Sequence, residues 1–135
     1  MALTIRYPRR QLFSYVNLII GLNFVCFMMW TFADTGDTQT ESWVNPELMY
    51  NHFLVSWTSL MQGRYWTLLT SAFSHNLVWH FFINMYVLNS FGRIIEMVLN
   101  SRRFLFFYLG AGLTSSASHA LVSRFLIENP DLPAL

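Results

Sequence analysis

Long apolar stretches alternate with polar segments along the chain, and their lengths predict membrane-spanning helices. The first stretch, from Leu12 to Phe32, contains no Asp, Glu, Lys, Arg or His. The last, from Phe104 to Val122, contains one ionisable residue, His119. A helix needs about 20 mostly apolar residues to cross a hydrocarbon core of about 30 Å. Both stretches are therefore predicted to span a membrane.

Two further apolar stretches lie between these and complete the predicted fold. Leu77 to Phe91 has His80 as its only ionisable residue and reaches spanning length if it extends to Met97. Residues 50–61 follow a helical i, i+3, i+4, i+7 pattern that is typical of an amphipathic interfacial segment. The pattern predicts an all-α polytopic membrane protein with three transmembrane helices. One unit, 1–135, would contain spans at about 12–32, 75–97 and 103–124 and an interfacial loop at 33–66.

Composition and charge support a membrane location and indicate an orientation. The chain is 54% hydrophobic and only 11% charged, whereas soluble domains have about 25% charged residues. Its basic residues are all arginines, and six of them lie before the first span or between the second and third: Arg6, Arg9, Arg10, Arg93, Arg102 and Arg103. The positive-inside rule then predicts a cytoplasmic N-terminus and an external C-terminus, in a bacterial inner membrane. The net charge of +1 gives no indication of nucleic-acid binding.

A polar cluster at the start of the second predicted span is the main pointer to function. His80 and Asn84 are four residues apart and share one helix face, and His75 lies just before them. Polar groups inside a membrane usually face a protein interior or a wet cavity. One interpretation is a buried hydrogen-bonded pair that holds helices together. A metal site is not favoured, because His75 and His80 would point about 140° apart on a regular helix and no H-E-x-x-H motif is present. No cofactor is predicted.

The second interpretation of the cluster is acyl-transfer chemistry. Histidine and asparagine side chains can donate hydrogen bonds to a developing oxyanion. A nucleophile is harder to assign, because Ser115 and His119 are i, i+4 but a serine inside a regular helix is crowded by its own turn. The surrounding segment, 110–118, is rich in small residues that allow helices to approach closely, among them Gly110, Gly112 and Ser116.

Several strings resemble the rhomboid family of intramembrane serine proteases. They are GRYWTLLTSAFSH at 63–75, the H-x-x-x-N pair His80 and Asn84, and FGRIIE at 91–96. The resemblance implies that His80 and Asn84 stabilise the oxyanion and that His75 supports the outer end of that site. It also implies close packing at Gly92, a tie from Glu96 to the cytoplasmic turn, and a half-submerged loop before the second span.

The sequence departs from the family pattern in two ways. The family usually has Trp-Arg where this chain has Trp66-Thr67, with Arg64 nearby, so the usual arginine contacts in the loop are in doubt. The family's nucleophile motif, G-x-S-G, and its base histidine on a later span are also missing. The chain is therefore expected to be half of a six-helix bundle, inactive alone. A second chain would supply the catalytic serine and histidine, and the substrates would be transmembrane proteins.

Two other functions remain open. One is a non-catalytic rhomboid-like protein that binds transmembrane helices or dimerises through the small-residue face of the third span. The other is a small transporter or channel subunit, which the lack of an intramembrane carboxylate disfavours.

Overall fold

The computed structural model describes residues 14–33 and 43–125, and this part of the chain is helical without any strand. The predicted all-α class is therefore confirmed for the described residues. The remaining predictions for 1–13, 34–42 and 126–135 lie outside them. A 3₁₀ turn, Ser71–Phe73, follows the fourth helix, and a π turn, Leu88–Gly92, joins the fifth to the sixth. The α-helices are α1 Tyr15–Ala33, α2 Pro46–Phe53, α3 Trp57–Met61, α4 Thr67–Thr70, α5 Val78–Val87, α6 Arg93–Leu99 and α7 Ser101–Phe125.

Two helices, α1 and α7, are long and apolar enough to cross a membrane. They have 19 and 25 residues and coincide with the first and third predicted spans. The second predicted span is built from α5, the π turn and α6, which follow one another without a break. Its helix begins at Val78 instead of His75, because the backbone at Leu77 is extended.

The amphipathic segment is two short helices, not the single helix that its periodicity predicted. Leu54 and Val55 are buried between α2 and α3 and end the first helix. Ser56 then caps α3: its Oγ accepts from the Ser59 backbone N–H at 3.1 Å, and the Ser59 Oγ accepts from the Ser56 N–H at 3.0 Å. The polar residues that interrupted the apolar pattern are thus the ones that start a new helix.

Two apolar clusters pack α1 against the rest of the chain. Val16 and Ile19 meet Phe104 of α7 at one end of α1. At the other end, Trp30 and Ala33 meet Met49 of α2, together with Leu54. The helix that carries the polar cluster therefore lies beside an α1 that is fixed at both ends.

Glu96 of α6 makes a further connection to the start of α1. Its carboxylate accepts a hydrogen bond from Ser14 Oγ at 2.6 Å and another from the Tyr15 backbone N–H at 2.8 Å. The side chain is buried, so these donors compensate for the loss of water around its charge. Glu96 also bonds the Ser101 side chain just after α6, so it connects α6 both to the start of α1 and to the following turn, where the resemblance implied a tie.

Candidate functional site

His75 lies in the extended link between the 3₁₀ turn and α5, and it is buried. Its ring stands edge-on to the His80 ring, with 5.1 Å between the ring centroids and 61° between the planes. The sequence predicted that these rings would point apart, on the assumption that both residues belong to one regular helix. Because α5 begins only at Val78, the chain bends before His80 and brings the two rings together.

The backbone next to His75 is held by α1. Trp30 Nε1 donates a buried hydrogen bond to Ser74 Oγ at 2.7 Å. One turn into α5, the Phe81 ring stacks on Phe27 of α1 at 4.4 Å and 12°. The two histidines therefore sit between two fixed points on α1. Sequence reasoning did not identify Trp30 or Ser74, because nothing in the chain marks residues so far apart as partners.

Asn84 lies one helical turn beyond His80, as its spacing predicted. Its Nδ2 donates to the His80 carbonyl oxygen at 2.9 Å, so one of its two amide N–H groups bonds to its own helix. His80 is exposed and Asn84 is partly exposed. The second N–H of Asn84 and the His80 ring remain the groups that could donate to a bound oxyanion.

A polar cavity of about 460 Å³ opens between α7 and the segment that carries His75 and His80. Its polar lining residues come from both sides and are Ser71, Ser74, His75, His80, Ser115, Ser116 and His119. A second, more apolar cavity of about 300 Å³ is lined by Asn84. His75 and Tyr108 line both, so each of the three predicted site residues lines one or both of two adjoining cavities.

Three of the four predicted packing residues are enclosed by neighbouring side chains, and one, Gly110, is exposed. A Cβ on Gly112 would lie 2.9 Å from the Ala72 Cβ, and Ser116 Oγ lies 2.8 Å from Ser71 Oγ. Gly92 is similarly enclosed, since a Cβ there would approach Leu88, Val16 and Phe104. Gly110 is exposed, and a Cβ on it would meet no atom of the described residues within 4 Å.

Ser115 and His119, considered above as a nucleophile and its base, both line the polar cavity. The bonds described for His119 join it to Ser123: the Nε2 atom is 3.3 Å from Ser123 Oγ, which also donates to the His119 carbonyl at 2.8 Å. Ser115 is exposed in the middle of α7, a regular helix without the strained turn that presents a nucleophile. Across residues 14–33 and 43–125, no group of three or more metal-ligating side chains comes together.

The loop before the second predicted span lacks the arginine that the family usually has after Trp66. Arg64 and Trp66 make the contacts that hold it. Arg64 donates to the Asn51 carbonyl at 3.3 Å and also bonds the Asn51 side chain. Trp66 Nε1 donates to His52 Nδ1 at 3.1 Å, and their rings stack at 5.7 Å. Arg64 thus connects the loop to α2, and His52 of α2 has Trp66 as its partner.

Comparison with known proteins identifies the family. Residues 62–127, which contain the polar cluster and both sides of the cavity, match the sequence model of the rhomboid domain. This chain belongs to the rhomboid family. Rhomboid proteins are membrane proteins, which agrees with the two apolar helices α1 and α7.

Three rhomboid relatives cover much of the chain. An uncharacterized mitochondrial rhomboid protein of Schizosaccharomyces pombe is 32% identical over 84% of this chain and 29% of its own length. The rhomboid protease GluP of Bacillus subtilis is 30% identical over 83% of this chain and 21% of its own length. The mitochondrial RHOMBOID-like protein 12 of Arabidopsis thaliana is 33% identical over 61% of this chain and 24% of its own length. This rhomboid chain thus spans less than a third of these relatives, and no solved structure gives a significant match.

Proposed function

We propose that this chain supplies the oxyanion-stabilising part of a rhomboid-type intramembrane serine protease. The single observation that carries the proposal is the contact between the His75 and His80 rings at a polar cavity inside the rhomboid-matched segment. His80 and Asn84 would donate hydrogen bonds to the oxyanion of a scissile carbonyl. His75, held by its buried link beside Ser74, would keep the His80 ring in place.

The length of the helix that carries this site supports a membrane location for it. Residues 78–99 form one continuous helical segment that consists of α5, the π turn and α6. At 1.5 Å per residue it is about 33 Å long, which matches a hydrocarbon core of about 30 Å. Together with α1 and α7 it would give three spans. His80 would then lie near the end of its span, opposite the arginines at 93, 102 and 103.

The nucleophile and the base would come from elsewhere, since these 135 residues contain no G-x-S-G motif. A span bearing that motif and a span bearing a histidine would pack on the side of α5 and α7 where the cavity opens. They would belong to a partner chain, as the sequence predicts, or to further residues of the same polypeptide. In either case the serine oxygen must lie beside the His80 and Asn84 donors.

Reporter cleavage in membranes tests this proposal. The chain would be expressed alone, and together with candidate segments that carry G-x-S-G and a later histidine, beside a transmembrane reporter. We expect no cleavage by the chain alone and cleavage by the completed assembly. Since one lost oxyanion donor costs about 100-fold or more in rate, His80→Ala and Asn84→Ala should each lower cleavage by at least about that factor.

The matched control is Asn76→Ala, an exposed asparagine that does not line the cavity of His80. It should leave cleavage unchanged. Cleavage by the unaccompanied chain, or a completed assembly indifferent to both His80→Ala and Asn84→Ala, would refute the proposal. Failure of every completed assembly to cleave would favour a non-catalytic role.

The alternative is a non-catalytic protein that binds transmembrane helices through the small residues of α7. Fewer of these residues are accessible to another helix than the sequence suggested. Gly112 and Ser116 contact Ala72 and Ser71 of the same chain. Gly110 is the member of the set that stays open at the surface. A helix that docks on α7 would therefore have to use the Gly110 side.

The compartment remains a prediction, since two of the relatives above are named as mitochondrial and one comes from a bacterium.

A further inference from the structure

A second polar cluster lies on the opposite half of the molecule, where α1 meets the π turn and α6. Arg93 Nε donates to Asn89 Oδ1 at 2.8 Å, and an Nη of the same guanidinium donates to Asn17 Oδ1 at 2.8 Å. All three side chains are exposed. One arginine thus holds two asparagines, one on each neighbouring element, in a defined arrangement at the surface.

The bonds within this cluster leave it rich in donors. A guanidinium has five N–H groups and no acceptor, and the two described bonds use two of them. Both asparagines present their amide oxygen to Arg93, so the Nδ2 group of each remains available to donate. The cluster therefore presents one positive charge with two amide NH₂ groups beside it. This arrangement suits an oxyanion with several acceptor oxygens, such as a phosphate.

The charge of Arg93 is not neutralised by the acidic residue closest to it in the chain. Glu96 lies on the buried side of α6, where Ser14 and Tyr15 donate to its carboxylate. The described acceptors of Arg93 are two neutral amides. An arginine on a membrane-facing surface is costly unless it reaches the polar interface or gains a counter-ion.

The surroundings of Arg93 identify a phospholipid as the source of that counter-ion. Phe91, Ile94 and Leu18 are exposed beside the cluster and offer apolar surface for acyl chains. Arg102 and Arg103 are exposed at the start of α7, immediately after α6 ends. Basic pockets between membrane helices are known to hold lipid phosphates on the side with anionic lipids. We propose that Arg93, Asn17 and Asn89 bind the phosphate group of an anionic phospholipid.

This inference depends on a membrane location and is independent of proteolysis. It is tested on the full chain in nanodiscs of phosphatidylcholine mixed with phosphatidylglycerol, with native mass spectrometry of the lipids retained after extraction. The wild-type chain should retain phosphatidylglycerol in preference to phosphatidylcholine. Arg93→Gln should lower that preference by clearly more than about fivefold, which is the factor expected for the loss of one diffuse basic charge at an anionic membrane surface.

Two variants separate a built site from diffuse charge attraction. Arg103→Gln removes the same charge from an exposed position outside the cluster and should change the preference much less. Asn17→Leu keeps every charge and retains a good helix-forming residue, yet it should reduce the preference because one amide donor is lost. Asn17→Leu also serves if Arg93→Gln fails to fold. Equal effects of Arg93→Gln and Arg103→Gln, or no effect of Asn17→Leu, would overturn the proposal.

Inorganic phosphate distinguishes a lipid from a free anion. Added phosphate should not displace the retained phosphatidylglycerol, because only the lipid also contacts the apolar surface at Phe91 and Ile94. Complete displacement by phosphate, or protection of the chain against heat by phosphate alone, would show that the occupant is a free anion and would overturn the lipid assignment.

Discussion

At the scale of single residues, Glu96 shows how a buried charge is used in this chain. At the start of α1, its carboxylate accepts from a hydroxyl at 2.6 Å and from a backbone N–H at 2.8 Å, and it also bonds the Ser101 side chain at the start of α7. Hydrogen bonds to a charged group contribute about 1.5–3 kcal/mol each when both partners are buried. Glu96 therefore joins α6 to α1 through hydrogen bonds that would be lost if the carboxylate were removed.

Removing this carboxylate should destabilise the chain measurably. We expect Glu96→Ala to lower the free energy of unfolding by about 2–4 kcal/mol, because the Ser14 hydroxyl and the Tyr15 N–H lose their acceptor. Denaturant or thermal unfolding in detergent micelles, followed by circular dichroism, measures the loss. Ser14→Ala should cost less, since Tyr15 keeps its bond. Glu47→Ala, at an exposed position in α2, is the control, and an equal effect there would contradict this role.

The site could be predicted from the sequence only where it lies inside a helix. His80 and Asn84 share a face because both belong to α5, so their spacing sufficed. His75 was misplaced relative to His80 because the start of α5 carries no side-chain cap that the sequence could reveal. Its neighbour Ser74 is fixed by Trp30, a contact across 44 positions that local pattern cannot indicate.

At the scale of elements, α7 packs closely against the 3₁₀ turn, and the tightest approach is at Gly112. Gly112 faces Ala72 so closely that a Cβ would lie 2.9 Å from the Ala72 Cβ. Beside it, the hydroxyls of Ser116 and Ser71 are 2.8 Å apart. This contact sets the width of the polar cavity, because Ser71 and Ser116 both line it.

The two glycines of α7 offer a matched test of that contact. Gly112→Ala should lower the free energy of unfolding by about 1–3 kcal/mol through overpacking, less the gain in helix propensity. A Cβ at Gly110 would meet no atom of residues 14–33 or 43–125 within 4 Å, so Gly110→Ala should be neutral or stabilising by up to about 1 kcal/mol. Thermal unfolding of both variants in the same detergent makes the comparison. A Gly112→Ala chain at least as stable as Gly110→Ala would contradict close packing here.

Among the elements, the apolar stretches predicted α1 and α7 well, because length and composition alone determine such helices. The interfacial segment was predicted as one helix, since its periodicity continues through Leu54 and Val55. These residues are buried in an extended link, where tertiary packing outweighs the local pattern. The π turn was not predicted either, because an apolar run gives no sign of a change in helical pitch.

At the scale of the whole molecule, three spans would place the two chain segments around 43 and 102 on opposite sides of the membrane. In a Cys26→Ser background, a membrane-impermeant maleimide should label Trp43→Cys from outside intact cells. It should label Arg102→Cys only after permeabilisation, because the positive-inside rule places that end in the cytoplasm. Labelling of both from the same side would contradict a span through α5 and α6. Cys26→Ser alone is the unlabelled control.

The whole-molecule predictions depended on resemblance more than on pattern. Hydropathy indicated a membrane protein, but only the strings around His75, His80 and Glu96 pointed to the rhomboid family, which the match at 62–127 then confirmed. The predicted partner chain and bacterial membrane concern residues and surroundings outside this chain. The residues of this chain define what a partner would have to supply, namely a serine oxygen near the two donors.

The π turn at Leu88–Gly92 changes the direction in which the side chains of α6 point relative to those of α5. On a regular α-helix, positions 80 and 96 would lie about 160° apart around the axis. A π turn accommodates one additional residue and so removes about 100° of that rotation. His80 and Glu96 are thereby brought to within about 60° of each other. The candidate site at one end and the anchor at the other can then face the same neighbours, and conversion of this turn to a regular α-helix with the same number of residues would rotate the site by about 100° relative to Glu96.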